Sequence, residues 1–249
     1  MPTTSDVFRT GEYHRSFTSK HTYYMHLTRS IQLRILYATC VRLLHLQDWP
    51  DPLAKTSPQV LLCGTASPYT TRTFARFVCS HRAAASIDVL DISPYSLNQS
   101  AQFLKTCRDL EGARISFVEG DAMHLPFGSE HFDWIETDFF IQFFSPEEKA
   151  VLFKEWYRIL KPGGVVTTRD WLMQKQDFIE HVVDGTKNWL IKHILGPVAY
   201  SASAKDVKEA LGKLGFEAAV FPVRIPGTRI RLPVMSYILI YKPGEVPLS

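Results

Sequence analysis

At 249 residues, 45% of them hydrophobic, the chain can supply a full core for one large α/β domain, or for a domain plus a cap. A net charge of only +3 carries no concentrated basic stripe, so no nucleic-acid partner is expected. No apolar run reaches membrane-spanning length, and the polar stretch Met1 to Thr10 lacks a signal core; no membrane partner is expected, and a reducing cytoplasm is the default location.

Residues 1–26 interleave Tyr13, His14, Phe17, Tyr23, Tyr24 and His26 with serine and threonine. They read either as a surface arm or as a flap that seals a ligand pocket against water. Leu27 to Leu46 turns helical, with Leu33, Leu36, Tyr37, Cys40 and Leu44 on one face. Trp49-Pro50-Asp51-Pro52 stops that helix, because proline cannot continue it. Residues 1–50 are thus expected to form a helical cap or lid, 48–58 a linker, and 51–249 the body. Cys40, Cys63, Cys79 and Cys107 have no metal-ligand spacing and read as free thiols, and no metal site is expected.

The body opens on the stretch that organises the rest. Val60-Leu61-Leu62-Cys63 is a short buried strand, Gly64-Thr65-Ala66-Ser67-Pro68 a small-residue turn, Tyr69 to Cys79 a helix, and Ile87-Asp88-Val89-Leu90-Asp91 a second strand ending in a carboxylate. This is one β-α-β unit. In open α/β sheets a ligand lies outside the carboxyl ends of the strands. Small residues let backbone approach it, and the helix N-terminus offers polar contacts. Asp91 lies 27 residues after Gly64, where a carboxylate can accept hydrogen bonds from both ribose hydroxyls.

Ser93-Pro94 starts a helix expected to run to about Arg108. Ile115 to Val118 and Phe132 to Ile135 are the third and fourth strands, ending near Glu119-Gly120-Asp121 and Glu136-Thr137-Asp138. Ser145-Pro146-Glu147-Glu148 is a capping box leading a helix to Leu160. Lys161-Pro162-Gly163-Gly164 is expected to turn sharply into a fifth strand over Val165 to Thr168. Alternation from Val60 to Asp170 predicts a parallel sheet with helices on both faces. An inserted lid segment near 171–202 carries Trp171, Lys175, His181, Lys187, Trp189, Lys192 and His193; a helix from Ser203 and two last strands, Phe216 to Ile225 and Met235 to Tyr241, complete the chain.

Four pieces stand in fixed order: the turn at Gly64, Asp91-Ile92-Ser93-Pro94, Gly120-Asp121-Ala122 with Leu125-Pro126-Phe127, and Ile159-Leu160-Lys161-Pro162-Gly163-Gly164. Their combination over about Val60 to Asp170 resembles the class I S-adenosylmethionine-dependent methyltransferase family, especially its small-molecule branch. The resemblance implies a Rossmann-like doubly wound, mostly parallel seven-stranded sheet with an antiparallel last strand. It implies S-adenosylmethionine as cofactor, cradled by Gly64, Thr65 and Ala66, held at its ribose by Asp91 beside Ile92, and met at its adenine by Asp121, Ala122 and Met123. Glu136, Asp138 and Phe139 would face the sulfonium and a small-molecule acceptor, with Tyr24 and Trp171 as further acceptor contacts.

The sequence departs from that pattern at the first turn. Leu62 stands where the family usually has an acid, and Ala66 and Pro68 where it has glycines; Glu136 or Asp138, or the N-terminal flap, could replace the missing carboxylate. Methyl transfer from a sulfonium needs alignment and exclusion of water, with a general base only where the acceptor must lose a proton. Candidate bases lie on the two lid-like segments: His14 and His193 first, then His26 and His181. His124 and His131 read as surface. Three other readings stay open: a lyase or cyclase that uses the sulfonium compound itself, a binding or regulatory module without catalysis, and, more distantly, a nicotinamide oxidoreductase.

Overall fold

The computed structural model describes residues 30–65, 67–195, 199–224, 228 and 230–244. Among these, helix α1 (30–45) is followed by a short 3-10 turn at Pro52–Ala54 and strand β1 (Gln59–Cys63). Then come α2 (Pro68–His81), β2 (Ser86–Asp91), α3 (Pro94–Leu104), β3 (Arg114–Glu119), β4 (Phe132–Asp138), α4 (Pro146–Ile159), β5 (Leu160–Trp171), α5 (Phe178–Leu190), α6 (Ala204–Gly212), β6 (Glu217–Arg224) and β7 (Arg231–Tyr241). One seven-stranded sheet runs in the order β3-β2-β1-β4-β5-β7-β6. The first five strands are parallel, and β7 is antiparallel to both β5 and β6. The expected architecture is therefore the observed one, antiparallel last strand included.

The chain reverses direction across the sheet between β1 and β4, and alternate residues feed two cores. Val60, Leu62, Ile87, Val89, Trp134, Val165 and Leu239 pack under α1, α2 and α3; Leu61, Cys63, Ile135, Val166, Ile238 and Ile240 pack under α4 and α6. Leu33, Leu36, Tyr37, Cys40 and Leu44 of α1 lie in the same core as the sheet. The linker is tied down as well, since Trp49 stacks on Tyr241 at 5.5 Å and its indole N–H donates to Glu217 Oε2 (3.3 Å).

Helix starts follow the sequence signals. Ser67, Ser93 and Ser145 each accept a backbone N–H from the first turn of α2, α3 and α4, with proline next in line, and Glu148 closes the capping box on Ser145 N–H (2.7 Å). Several boundaries differ; β7, for one, begins at Arg231 rather than Met235. The helix from Pro94 stops at Leu104 rather than near Arg108, because Thr106 and Cys107 N–H groups tighten onto Phe103 and Leu104 carbonyls; Arg108–Leu110 is a separate 3-10 turn. Lys161-Pro162-Gly163-Gly164 does not turn sharply: it is the start of β5, held by Gly163 N–H on Lys242 O (2.8 Å) and Lys242 N–H on Gly164 O (3.0 Å). Gly163 takes φ +77°, which lets the strand bend there without a turn.

Candidate active site

The carboxyl ends of β1, β2 and β3 lie side by side, joined by Gly64 N–H on Leu90 O (2.8 Å) and Gly120 N–H on Asp91 O (3.1 Å). Asp91 is buried there. Its Oδ2 accepts from Thr65 N–H (2.7 Å) and from the Thr65 hydroxyl (3.2 Å), and its Oδ1 accepts from Ser93 N–H (2.9 Å). The first turn and the acid ending β2 are thus one hydrogen-bonded unit. Gly64 sits at φ +84°, and a side chain there would meet the Phe140 ring at 2.9 Å. Asp121 accepts from Met123 N–H (2.9 Å), which folds the β3 exit over buried Ala122 and Leu125, with Ile92 half-buried. Ala66 falls outside the described residues.

A second group lies at the ends of β4 and β5, under α1. Leu62 of β1 pairs in register with Glu136 of β4, and Glu136 with Thr167 of β5. Parallel neighbours point their side chains to the same face. The carboxylate that β1 lacks therefore stands one strand across. Trp134 Nε1–H donates to Thr167 Oγ1 (2.7 Å), and the Thr167 hydroxyl donates to Glu136 Oε2. Glu136 Oε1 is buried with no hydrogen-bond partner among the described residues, and burial pushes its carboxyl well above the usual carboxylate range. Burial likewise raises the neighbouring Cys40 thiol.

Next along the same strands, Asp138 and Arg169 form a two-point ion pair: Nε to Oδ1 and Nη2 to Oδ2, each 3.0 Å, with side chains only 5% and 8% exposed. Burial opposes the Arg169 charge, and Asp138 outweighs it, so the guanidinium stays charged. Arg169 also lies 4.7 Å over the Phe139 ring, and Phe139 meets Trp171 at 6.0 Å. Phe139 takes φ +53°, a strained backbone for a bulky residue. Its N–H donates to Arg169 O (2.7 Å), which holds the turn.

On the opposite face, Asp170 fixes the segment after β4 by accepting from Ile141 N–H (2.6 Å), Gln142 N–H (3.3 Å) and Trp171 N–H (2.8 Å). Burial raises its carboxyl to about 6 against those three donors. Lys149, buried beside it, is lowered by burial.

Of the residues expected at the site, Gly64, Thr65, Asp91, Ile92, Asp121, Ala122 and Met123 gather at the tips of β1 to β3, and Glu136, Asp138, Phe139 and Trp171 at those of β4 and β5. Tyr24 and His14 lie outside the described residues, as does His26. His193 is exposed beyond α5, its ring stacked on Trp189 at 4.7 Å with Nδ1 on Trp189 O (2.8 Å). His181 is exposed too, with Nδ1 on Asp177 O (2.9 Å). Arg169 and Thr167 were not anticipated. The signal for them was the polar run Thr167-Thr168-Arg169-Asp170 at the end of a buried strand, where each polar side chain needs a partner.

The model of the family described as "Methyltransferase domain" matches residues 60–164. Over that stretch the chain is similar to methyltransferase domains. The matched segment runs from β1 through the glycine pair at the start of β5, so it contains both strand-tip groups except the end of β5. The chain is 29% identical over 158 residues to a sterol 24-C-methyltransferase of Kluyveromyces lactis, covering 62% of this chain and 38% of that protein. It is 31% identical over 113 residues to a demethylmenaquinone methyltransferase of Roseiflexus castenholzii, covering 45% and 44%. The chain thus spans less than half the length of these curated relatives. A SAM-dependent methyltransferase of Methanosarcina mazei superposes with TM-score 0.57 at 18% identity, over 77% of this chain and 95% of that one, which shows the shared fold.

The cofactor of such domains is S-adenosylmethionine, and the residues present fit it. A buried carboxylate at the tip of β2 already holds a hydroxyl donor, that of Thr65, in the manner of a sugar hydroxyl. Gly64 leaves open a space that any Cβ would fill, and the Phe140 ring now lies in it.

Proposed function

We propose that this chain transfers a methyl group from S-adenosylmethionine to a small, largely apolar acceptor by in-line displacement. When bound, the cofactor supplies a methyl already activated by the positive sulfur. Asp91 holds its ribose, exchanging the Thr65 hydroxyl for a sugar hydroxyl on Oδ2. Gly64 and Thr65 let backbone approach the methionine end, and Ala66 belongs to the same turn. Asp121 orients the adenine through the turn that ends at Met123, between Ile92 and Ala122. Glu136 takes the part of the acid that β1 lacks at Leu62, through a buried carboxyl that burial pushes well above the usual carboxylate range.

The acceptor lies toward Asp138, Phe139 and Trp171. Arg169 neutralises Asp138, so this side offers ring faces rather than free charge. That suits a flat or greasy acceptor, and the sterol and quinone methyltransferases among the relatives support the same class. Tyr24 would close the acceptor side, with His14 or His193 as base where the acceptor carries an acidic proton. The four cysteines are all unpaired, in keeping with a reducing cytoplasm.

The observation that carries this reading is the buried Asp91 bonded to Thr65 of the first turn. Calorimetric titration with adenosylhomocysteine tests it. Wild type should bind, and Asp91→Ala should bind at least about 30-fold more weakly, the worth of about 2 kcal/mol of charge-assisted hydrogen bonding. Equal affinity in the two would overturn the assignment. Methylthioadenosine as the product, in place of adenosylhomocysteine, would overturn methyl transfer while leaving the cofactor site standing.

A further inference from the structure

Helix α5 is built inside out. Its buried residues are Glu180, Asp184 and Lys187, all ionisable. Its large apolar residues face outward: Phe178 is 82% exposed, Ile179 64%, Trp189 58%, and Val182 and Leu190 are exposed as well. The buried charges are provided for. Glu180 accepts from Lys175 and Gln176 N–H (2.8 and 2.9 Å), and Lys187 pairs with Asp184 at 2.7 Å beside the Trp171 ring. Asp184 also takes Asn188 Nδ2 (3.1 Å) and the Ser201 hydroxyl. The helix is therefore anchored by polar contacts, in a fixed rotation, while its apolar stripe stays in water at the cost of unburied apolar area.

Charge is sorted in the same way. In the stretch 171–193 two of the three acids, Glu180 and Asp184, point into the protein, and the third, Asp177, caps α5 by accepting Glu180 N–H (2.9 Å). Lys175 and Lys192, with His181 and His193, are exposed. Helix α5 packs against β7, whose antiparallel run places its start at the carboxyl ends of the parallel strands. There Ile230 is 61% exposed, and Arg231 is exposed beside Arg224, its partner on β6. Apolar and aromatic side chains rimmed by basic groups, with Glu180 and Asp184 turned inward and Asp177 exposed as the helix cap, match the interface between headgroups and acyl chains of an anionic bilayer.

We infer that α5 with the start of β7 is a peripheral docking surface for an anionic phospholipid membrane. No helix among the described residues is long and apolar enough to cross a membrane, so the contact lies in the interface. This departs from the expectation of no membrane partner, which rested on the absence of a spanning run. It also places the carboxyl ends of β4 and β5 toward the bilayer. The inference does not depend on methyl transfer, because binding is read without cofactor.

The test is co-sedimentation of the full chain with phosphatidylcholine–phosphatidylserine vesicles and with phosphatidylcholine vesicles. Wild type should sediment with the anionic vesicles, less so at high salt, and Phe178→Ser/Trp189→Ser should bind at least about tenfold more weakly. Both residues are exposed, so circular dichroism and adenosylhomocysteine binding of the variant should match wild type. Wild type left in the supernatant would overturn the inference. So would a folded variant that still binds vesicles as wild type does, or a dimer in light scattering that the double substitution breaks, which would make a second copy the occupant of this face.

Discussion

The two halves of the strand-tip row are held together in different ways. At the tips of β1 to β3, partners are close in sequence or lie on adjoining turns: Asp91 holds Ser93, Asp121 holds Met123, and Thr65, Gly64 and Gly120 reach across through their backbone N–H groups. Backbone N–H groups supply most of the donors. At the tips of β4 and β5, side chain meets side chain over about thirty residues of chain, as in Asp138 with Arg169 and Glu136 with Thr167, and the groups are buried, with the Asp138–Arg169 pair charged and the Glu136 carboxyl pushed up by burial. A site gripped by backbone depends less on the identity of its side chains, because the donors are N–H groups that every residue but proline carries. A site made of buried charges on neighbouring strands does not, because each member leaves a partner stranded.

The comparison breaks most visibly at Arg169. Arg169→Met should cost about 3–5 kcal/mol in urea unfolding, since Asp138 stays buried without its counter-charge. Arg169→Met/Asp138→Asn should recover much of that loss. If the single variant costs under about 1 kcal/mol, the β4–β5 group is no more demanding than a surface pair.

Asp170 gives the next largest effect. Its carboxyl ionises near 3.8 when unfolded and at about 6 when folded, so the folded chain holds more protons between those values. Stability from this group is full below about pH 4 and is lost as pH rises through about 6, by about 3 kcal/mol in all. Unfolding free energies of wild type and Asp170→Asn, measured from pH 4 to 7, should therefore differ by an amount that shrinks by about that much as pH rises. A constant difference would mean that Asp170 titrates normally.

The same contrast explains what could be read from the chain. The β1–β3 half was legible because its signals are local: a strand, a small-residue turn, a helix cap and an acid at the next strand end. The parallel sheet followed from alternation, the antiparallel last strand from the family resemblance, and the helix starts from the Ser-Pro caps. The β4–β5 half was legible only residue by residue. Asp138, Phe139 and Trp171 were singled out, yet Arg169, which joins them, depends on a register between strands that no local pattern encodes. The outward stripe of α5 was not read from the chain, for a related reason. Its apolar periodicity suggests a buried stripe, and only the partners of Glu180, Asp184 and Lys187, some on other segments, turn that stripe outward.

In the β1–β3 half the sensitive point is backbone. Gly64→Ala should cost about 1–3 kcal/mol, because φ +84° is unfavourable for alanine and the new methyl would meet the Phe140 ring. The double variant Gly64→Ala/Phe140→Ala separates the two causes. Removing the ring should return the part due to contact and leave the part due to φ. If the ring makes no difference, Phe140 yields freely and the close approach carries no energy.

Phe140 itself should show the smallest effect, and it links the halves. Its ring belongs to the segment after β4, held by Asp170, yet it lies on the first turn of the other half, packed 5.0 Å from Phe144. A cofactor that uses the space above Gly64 has to displace it. Binding to a chain in which the open position is a minor state is weakened by the population of that state. Phe140→Ala should therefore tighten adenosylhomocysteine binding by about three- to tenfold, on the order of 1 kcal/mol, while lowering unfolding stability modestly through lost ring packing. A weaker complex would instead make the ring a wall of the bound cofactor's site, in which case the β4 segment serves the cofactor as directly as it serves the acceptor.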